Sequence, residues 1–337
     1  MDRQTFKIIY SDELDVAYLD DQTEHYLQSS DWCMSNHDCY YAVSYNNEAV
    51  VAKSALRIKQ LPYKLGHICN IDRGPSAINS EALAKHNNDV INFLSKKGIV
   101  YVQISPLQYG DADVNSVRKL LLQTGWTEIS ETLSLYKHTL VVDLLPEMSE
   151  IKSTFRRSLK TQLNKSEKLG IRIEFNPGVD EIDNFIQQHN IMARQRGIEV
   201  ITGSIRSYIL KAHKSGQIQI LIAYISDDMI SGVVLVKQND RVIYEWGMTT
   251  QDEKYRTYPL AHKMHWEAIQ WSKINGFKHY DMGGYWFDKG GDDPINYFKL
   301  GFTKNIVAVT PEFYYVLKPI RFYIINLMKQ LRKVTKR

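Results

Sequence analysis

The sequence predicts an α+β protein built from two tandem copies of one unit, each a mixed sheet flanked by helices. Both halves contain strands, a long helix and a further strand in the same order. Apolar residues alternate in the strands and recur every third or fourth residue in the helices. Gly98 corresponds to Gly276 and Gly125 to Gly301, at nearly the same offset along the chain. Such a repeated offset indicates duplication of a single unit.

The first copy begins with a hairpin and continues through a helix to a buried strand. Asn46 and Asn47 separate the first two alternating segments and are typical of a tight turn. A glycine, Gly98, follows the amphipathic helix, as expected at a helix C-terminus. The predicted elements are strands at 40–45 and 49–58, a helix at 81–97, a strand at 99–104 and a helix at 114–123.

The second copy repeats this order. Its predicted elements are strands at 218–225, 230–237 and 242–248, a helix at 260–273, a strand at 277–282 and a final segment at 297–302. Two helices precede them, at 148–169 and 179–196. The first buries an apolar residue every fourth position. Its other face is basic and includes Arg156, Arg157 and Lys160, a surface suited either to solvent or to the phosphates of a ligand.

The boundary between the copies is predicted near Pro146, after a strand at 139–144. Residues 1–145 would then form the first domain and residues 146–318 the second. Residues 319–337 are predicted to form a basic amphipathic helix. This helix is expected either to pack on the first domain or to bring the protein to an anionic membrane surface.

Composition excludes several classes of protein. Hydrophobic residues at 44% and charged residues at 24% are ordinary for a globular chain, and a net charge of +4 argues for no particular partner. No apolar run is long enough to span a bilayer, and the N-terminus has acids where a signal peptide needs an apolar core. The prediction is a cytoplasmic protein, with membrane contact only at the periphery.

Neither metal nor cofactor binding is predicted. The three cysteines, Cys33, Cys39 and Cys69, match no metal-ligand spacing, and their odd number is typical of a reducing compartment. His262 and His265 could share one helix face, but no third ligand accompanies them.

The segment 280–302 carries the most specific signal. It reads YDMGGYWFDKGGDDPINYFKLGF. In this segment an apolar strand ends at Asp281 and is followed by Gly283 and Gly284. A polar loop then leads to Phe298 and Lys299. Glycines at a strand end allow close approach of the backbone to a ligand. The ring and the cation after the loop predict a binding cleft at this position.

This block resembles the signature of the FemABX family, bacterial transferases that move an amino acid from aminoacyl-tRNA onto a cell-wall precursor. The resemblance implies two units of the acetyltransferase-like (GNAT) fold, and the absence of a long inserted hairpin points to the smaller, armless members. It also implies the partners: aminoacyl-tRNA as donor and a UDP-linked or lipid-linked precursor as acceptor. It covers most of the chain and is strongest between residues 244 and 302.

The resemblance implies roles for individual residues. Phe298 and Lys299 match the family's Phe-Lys pair, so Phe298 is expected to stack on the terminal adenosine and Lys299 to stabilise the ester or a phosphate. Asp281 is either a base for the incoming ammonium or a residue that orients the turn. Tyr244 and Trp246 are two apart on one strand and are expected to face the same side, lining an acceptor channel or packing in the core.

The donor is predicted to be tRNA rather than acyl-CoA. A GNAT enzyme holds the CoA pyrophosphate on a glycine-rich loop before a helix, but residues 254–261 at this place contain no glycine. The chain departs from the family at two places. Met34 stands near the position where the family has a lysine, and Thr202 stands near the position where it has an arginine. The identity of the acceptor therefore stays open. The alternative function is an acyl-CoA-dependent N-acyltransferase acting on an amino sugar of a surface polysaccharide.

Overall fold

The computed structural model describes residues 4–10, 25–36, 39–129 and 136–335. The chain divides into two compact units, one formed by residues 1–137 with 308–337 and the other by residues 138–307. Each unit has its own mixed sheet, helices and apolar core. The predicted α+β class with two GNAT-like units is therefore confirmed.

The first unit is built mainly from the N-terminal part of the chain. Its elements are β1 (Gln4–Tyr10), α1 (Ser30–Met34), β2 (Cys39–Asn46), β3 (Ala49–Gln60), β4 (His67–Ile71), β5 (Ser76–Ala77), α2 (Ser80–Ser95), β6 (Ile99–Ile104), α3 (Asp111–Gln123), β7 (Thr127–Glu128), β15 (Phe313–Val316) and α10 (Pro319–Thr335).

The second unit contains the remaining elements. They are β8 (His138–Asp143), α4 (Met148–Thr154), α5 (Arg157–Ser166), β9 (Arg172–Phe175), α6 (Val179–Arg196), α7 (Gly203–Lys214), β10 (Ile218–Ile225), β11 (Asp228–Gln238), β12 (Arg241–Thr249), α8 (Leu260–Ile274), β13 (His279–Gly284), α9 (Pro294–Lys299) and β14 (Ile306–Ala308).

The two sheets have matching topologies. The first has the order β1-β2-β3-β4-β6-β15-β7, with β5 beside β3, and the second has the order β14-β8-β13-β12-β11-β10-β9. Each contains a parallel pair, β4 with β6 and β12 with β13, and in each the second strand of that pair follows a helix. This correspondence agrees with the duplication that the glycine spacing predicts.

The domain boundaries differ from those predicted. Strand β8, with Val141 opposite Asp281, belongs to the second sheet, although the prediction assigned it to the first domain. Strand β15 belongs to the first sheet, with Phe313 opposite Ile104, although the prediction assigned it to the second domain. Each sheet is thus completed by a strand that follows the other unit in the sequence, and local patterns carry no information on such long-range pairing.

The prediction of one helix over 148–169 is wrong, because the chain is extended at Phe155 and Arg156 between α4 and α5. The Phe155 ring lies edge-on against Trp266 and Phe302, with centroids 5.5 and 5.3 Å away. The N–H of Arg156 leaves the helical pattern and donates to the carbonyl of Gly301 at 2.9 Å. Tertiary contacts therefore interrupt a helix that the fourfold apolar repeat predicts as continuous.

Helix α10 packs on the first unit through one side. The ring of Phe322 lies 5.2 Å from that of Tyr101, and Ile325 is buried in the same cluster. On the other side, Ile320 and Tyr323 are 79% and 70% exposed. The helix is thus attached to its unit but leaves large apolar side chains in solvent.

We expect Phe155→Ala to lower the free energy of unfolding by about 3–5 kcal/mol, because it leaves a cavity between α4, α8 and the sheet. Urea unfolding followed by circular dichroism measures this value. The control is Phe175→Ala at an exposed strand end, which should cost well under half as much. Equal losses in the two variants would contradict the central position of Phe155.

Candidate functional site

The site lies where the parallel strands of the second sheet separate. Pairing between β12 and β13 ends at Ile243 opposite Asp281, although β13 continues to Gly284. Gly283 has φ +76°, a conformation that few residues with a side chain adopt, and it turns the strand end out of register. The two glycines predicted to open a cleft therefore stand at a gap in the sheet.

Lys299 points into this gap from the end of α9. It is only 8% exposed, and its Nζ donates a hydrogen bond to the carbonyl of Gly284 at 2.8 Å. Nζ also lies 5.7 Å from the centre of the Trp286 ring. An ordinary solvated lysine would have neither the burial nor these contacts, so this side chain is held in position by the loop it faces.

Burial lowers the pKa of Lys299 to about 8, while the charges of Asp281 and Asp293 act in the opposite direction. Desolvation disfavours the ammonium form, and no carboxylate among the described residues forms an ion pair with it. The side chain therefore gives up and regains a proton near neutral pH. This is the property expected of a functional lysine.

Asp281 is fully buried beneath the gap. Its carboxylate accepts hydrogen bonds from the Thr139 hydroxyl and, at 2.8 Å, from the N–H of Gly283. Arg241 at the start of β12 lies 3.4 Å from the other oxygen. This carboxylate thus connects β8, β12 and the glycine turn, the second of the two roles considered from the sequence.

Phe298 is half-buried in a cluster of rings on α8, on α9 and just after α9. Its centroid lies 4.9 Å from His262, 5.3 Å from His265 and 5.5 Å from Phe302. Burial lowers the pKa of His265 to about 3, with Lys299 adding to the effect, so this ring is neutral. Its Nδ1 is 2.8 Å from the hydroxyl of Tyr280. The cluster is an uncharged aromatic surface beside a cation.

Tyr244 and Trp246 do not face the same side, contrary to the prediction. A bulge at Glu245 places Tyr244 opposite Leu235 and Trp246 opposite Val234, so they lie on opposite faces of β12. Tyr244 packs 4.6 Å from the His265 ring. Trp246 instead lies 6.3 Å from the ring of Tyr208 on α7. Only Tyr244 joins the site, and alternation alone does not reveal a bulge.

The loop before α9 is organised by Asn296, which the sequence analysis missed. Its amide donates to the carbonyls of Trp286 and Gly290, both at 2.8 Å. Asp293 begins the helix by accepting from the N–H groups of Ile295 and Asn296 at 3.0 Å. The Asp293-Pro294 pair is a recognisable helix start, but no pattern marks the buried asparagine or the histidine at 265.

The basic residues predicted to face either solvent or the phosphates of tRNA separate into two groups. Arg156 lies over the Tyr297 ring, 3.7 Å from its centre, and donates to the Tyr297 carbonyl at 3.2 Å. It therefore fixes the segment that carries Phe298. Arg157 is exposed, whereas Lys160 is half-buried and its Nζ donates to the Ser153 carbonyl at 3.1 Å.

The segment before α8 is occupied by its own side chains and backbone. The Tyr255 hydroxyl donates to Asp228 at 2.6 Å, and its ring lies 5.6 Å from that of Tyr258. The N–H of Leu260, the first of the helix, donates to the carbonyl of Tyr258 at 2.9 Å. A pyrophosphate would need free N–H groups at this position.

Among the described residues, no group of three or more His, Cys, Asp or Glu side chains is arranged to hold a metal ion. Over the same residues, no helix combines the length and hydropathy needed to cross a membrane.

Comparison of the sequence with models of protein families gives two matches. A model of the FemAB family matches residues 12–225, which is more than half of the chain. The chain belongs to the FemAB family. A model of an acetyltransferase (GNAT) domain also matches residues 153–299, which end at Lys299. The family that the segment 280–302 resembles is thus confirmed.

Among curated proteins, this FemAB-family chain is similar to the aminoacyltransferase FemB of Staphylococcus epidermidis. The two are 26% identical over 88 residues, which are 25% of this chain and 21% of the relative. The chain therefore aligns with about a fifth of that relative's length.

Solved structures show the likeness of fold over nearly the whole chain. The crystal structure of FemX has a TM-score of 0.79 at 16% identity and covers 95% of this chain and 99% of its own. The C-terminal domain of a putative lysylphosphatidylglycerol synthetase from Agrobacterium fabrum has a TM-score of 0.59 at 13% identity, over 93% and 96%. A tandem GNAT protein from the clavulanic acid biosynthesis pathway has a TM-score of 0.55 at 9% identity, over 94% and 99%.

The lowered pKa of Lys299 predicts a specific dependence of stability on pH. Below about pH 8 the Lys299 side chain carries its proton in both the folded and the unfolded state, and burial of this charge destabilises the folded state. Between about 8 and the ordinary value of 10.5, the folded state has lost its proton while the unfolded state still binds it, so stability rises with pH. We expect the free energy of unfolding of the wild type, minus that of Lys299→Met, to rise by about 3 kcal/mol across this window.

Urea unfolding at intervals from pH 7 to 10.5 measures this difference. Subtracting the variant removes the contributions of other titrating groups. A difference that stays flat over the window would mean that Lys299 titrates as a solvent-exposed lysine does.

Proposed function

We propose that this chain transfers an amino acid from aminoacyl-tRNA to an amine of a cell-envelope precursor, forming an amide bond. Membership of the FemAB family and the likeness to FemB support aminoacyl transfer. The observation that carries the proposal is the buried Lys299, whose pKa is lowered to about 8 at a gap in the second sheet.

The chemistry requires little more than alignment and charge. The amine nitrogen attacks the ester carbonyl carbon, the bond to the ribose oxygen breaks, that oxygen takes a proton and the nitrogen loses one. Negative charge develops on the carbonyl oxygen and then on the leaving oxygen. Lys299 donates one N–H to the Gly284 carbonyl, which leaves its other hydrogens for these oxygens. A pKa near 8 suits a cation that also supplies a proton to the leaving group.

The ring cluster beside Lys299 suits the end of a tRNA. Phe298, flanked by His262, offers a half-buried surface on which the terminal adenine stacks. His265 is neutral beneath it, so this part of the site adds no second positive charge beside the ester. We assign Phe298 to donor binding and Asp281, whose carboxylate holds Gly283, to positioning the glycine turn.

The acceptor is assigned only as a precursor that carries an amine, either UDP-linked or lipid-linked. Gly284 and Tyr244 border the gap, and we assign them to the channel that the amine enters. Trp246, on the other face of β12, is excluded from this channel.

We expect Lys299→Met to lower the rate of transfer by about 10²–10³-fold with little change in fold, because it removes a charge aimed at the reacting oxygens. The assay mixes the protein with charged total tRNA and candidate precursors, and mass spectrometry detects the added amino acid. The control is Lys289→Met, an exposed lysine near the same tryptophan ring. Equal turnover in the two variants would remove Lys299 from the mechanism.

The alternative function, acyl transfer from acyl-CoA to an amino sugar, is supported by the match to a GNAT domain. The occupied segment before α8 argues against it. Calorimetric titration with CoA distinguishes the two functions. We expect no binding at millimolar CoA. Binding with micromolar affinity would indicate that the donor is an acyl-CoA and not aminoacyl-tRNA.

Arg157, which is exposed, and Lys160, which is half-buried, are assigned to tRNA phosphates. We expect Arg157→Glu with Lys160→Glu to raise the apparent donor constant severalfold and to reduce its dependence on salt, because fewer counterions are released. Turnover at saturating donor should stay nearly constant. Arg156 is left intact, since it holds the Tyr297 segment.

The matched control reverses charge on α7, with Lys211→Glu and Lys214→Glu. This pair changes the net charge by the same amount at another place in the second unit. If both pairs change the salt dependence equally, the effect belongs to overall charge and α5 has no special role.

We further propose that α10 attaches the protein to the inner, anionic face of the cell membrane. Its exposed apolar side chains, Ile320, Tyr323 and Leu327, lie on the same helix as Arg321 and the basic residues of 329–335. Replacing these three apolar residues by Ser should weaken binding to vesicles of anionic phospholipid by about tenfold or more. The control is Ile274→Ser, which removes an isoleucine that is 82% exposed in the second unit.

A further inference from the structure

Arg73, in the first unit, is one of the largest fully buried side chains in the described part of the chain, and only 2% of it is exposed. It follows β4, at the carboxyl end of the parallel pair β4 and β6. Ligands of sheets with parallel strands bind at this edge, beyond the carboxyl ends of the strands. A charged side chain of this size, fully withdrawn from water at this position, calls for a physical explanation.

The backbone around Arg73 is fixed across the ends of the two strands. The N–H of Arg73 donates to the Ser105 hydroxyl at 2.8 Å, and the N–H of Ser105 donates to the Gly74 carbonyl at 3.0 Å. A Cβ at Gly74 would lie 2.4 Å from the Gln28 amide, so the chain is packed tightly here. The guanidinium therefore has a constrained direction.

The charge of Arg73 is not neutralised by any described residue. Its Nη2 donates to the Tyr136 carbonyl at 3.3 Å, and the guanidinium carbon lies 4.5 Å from the centre of the Tyr136 ring. Nη1 is buried and has no hydrogen-bond partner among the residues that the structure describes. The adjacent carboxylate, Asp72, is paired with Arg57. A buried guanidinium without a counter-charge destabilises a protein, so an anion is expected to complete the site.

Two further donors accompany the guanidinium. Ser76, three residues along the chain, is buried, and its hydroxyl has no hydrogen-bond partner within the described segments. His25 is buried near Arg73, and both burial and that charge hold its pKa well below the ordinary value, so the ring is neutral. Its Nδ1 accepts from the N–H of Leu27 at 3.2 Å, which leaves the proton on Nε2 as a donor.

We propose that Arg73, Ser76 and His25 form a binding site in the first unit for one oxyanion group, a phosphate or a carboxylate, of a ligand. The planar guanidinium suits either anion, since it presents two parallel N–H groups to two oxygens. A hydroxyl and an imidazole N–H supply further donors. The site does not depend on the transfer reaction assigned to the second unit, and binding alone tests it.

The experiment titrates the full chain by calorimetry at constant ionic strength with three probes: inorganic phosphate, uridine diphosphate and N-acetylalanine. We expect one binding event per chain for at least one probe. The probe that binds most tightly distinguishes a phosphate source from a carboxylate source. In Arg73→Met the affinity should fall by about tenfold or more, whereas Arg118→Met, which removes a surface arginine of the same unit, should leave it unchanged.

Thermal unfolding without any probe supplies the second measurement. If Arg73 is part of an anion site that is empty without a probe, Arg73→Met should unfold at the same or a higher temperature than the wild type, because a buried, uncompensated charge is removed. A lower unfolding temperature together with no binding of any probe to the wild type would show that Arg73 is purely structural. Equal affinities in the wild type and Arg73→Met would also overturn the proposal.

Discussion

The buried carboxylate of Asp281 is the constraint on which the site of the second unit depends. It joins the Thr139 hydroxyl on β8, Arg241 on β12 and the N–H of Gly283. These contacts stand at the point where pairing of β12 and β13 ends, so the strands can separate without loss of order at the gap. An unpaired carboxylate at full burial would be strongly destabilising, and its three donors remove that cost.

Lys299 uses the space that this arrangement opens. The glycine turn presents the Gly284 carbonyl to Nζ, and Asn296 together with Arg156 fixes the segment from which the lysine extends. Burial of the ammonium lowers its pKa, and the same burial makes its charge effective on any group beside it, because little water screens it. Stability and reactivity are therefore linked at one side chain, which is a common feature of functional sites.

The two copies use the same topology differently. In the first sheet the parallel pair stays joined to its end, at Ile71 and Ile104, and a buried arginine follows. In the second the pair separates, and a lysine from a later helix fills the gap. Both copies thus place a cation at the carboxyl end of the parallel strands. The segment that follows the first strand of each pair differs too: after β12 it has no glycine loop and is closed by Tyr255 and Tyr258.

The sequence by itself determined the features that depend on neighbours along the chain. Alternation and helical periodicity predicted most strands and helices, repeated glycines predicted the duplication, and the segment 280–302 pointed to the family and to Lys299. Only the tertiary structure decided the break at Phe155, the bulge at Glu245, the exchange of β8 and β15 between sheets, and the burial of His265, Asn296 and Arg73. Each of these depends on contacts between residues far apart in the chain, and such contacts leave no periodic trace in the local order of apolar and polar residues.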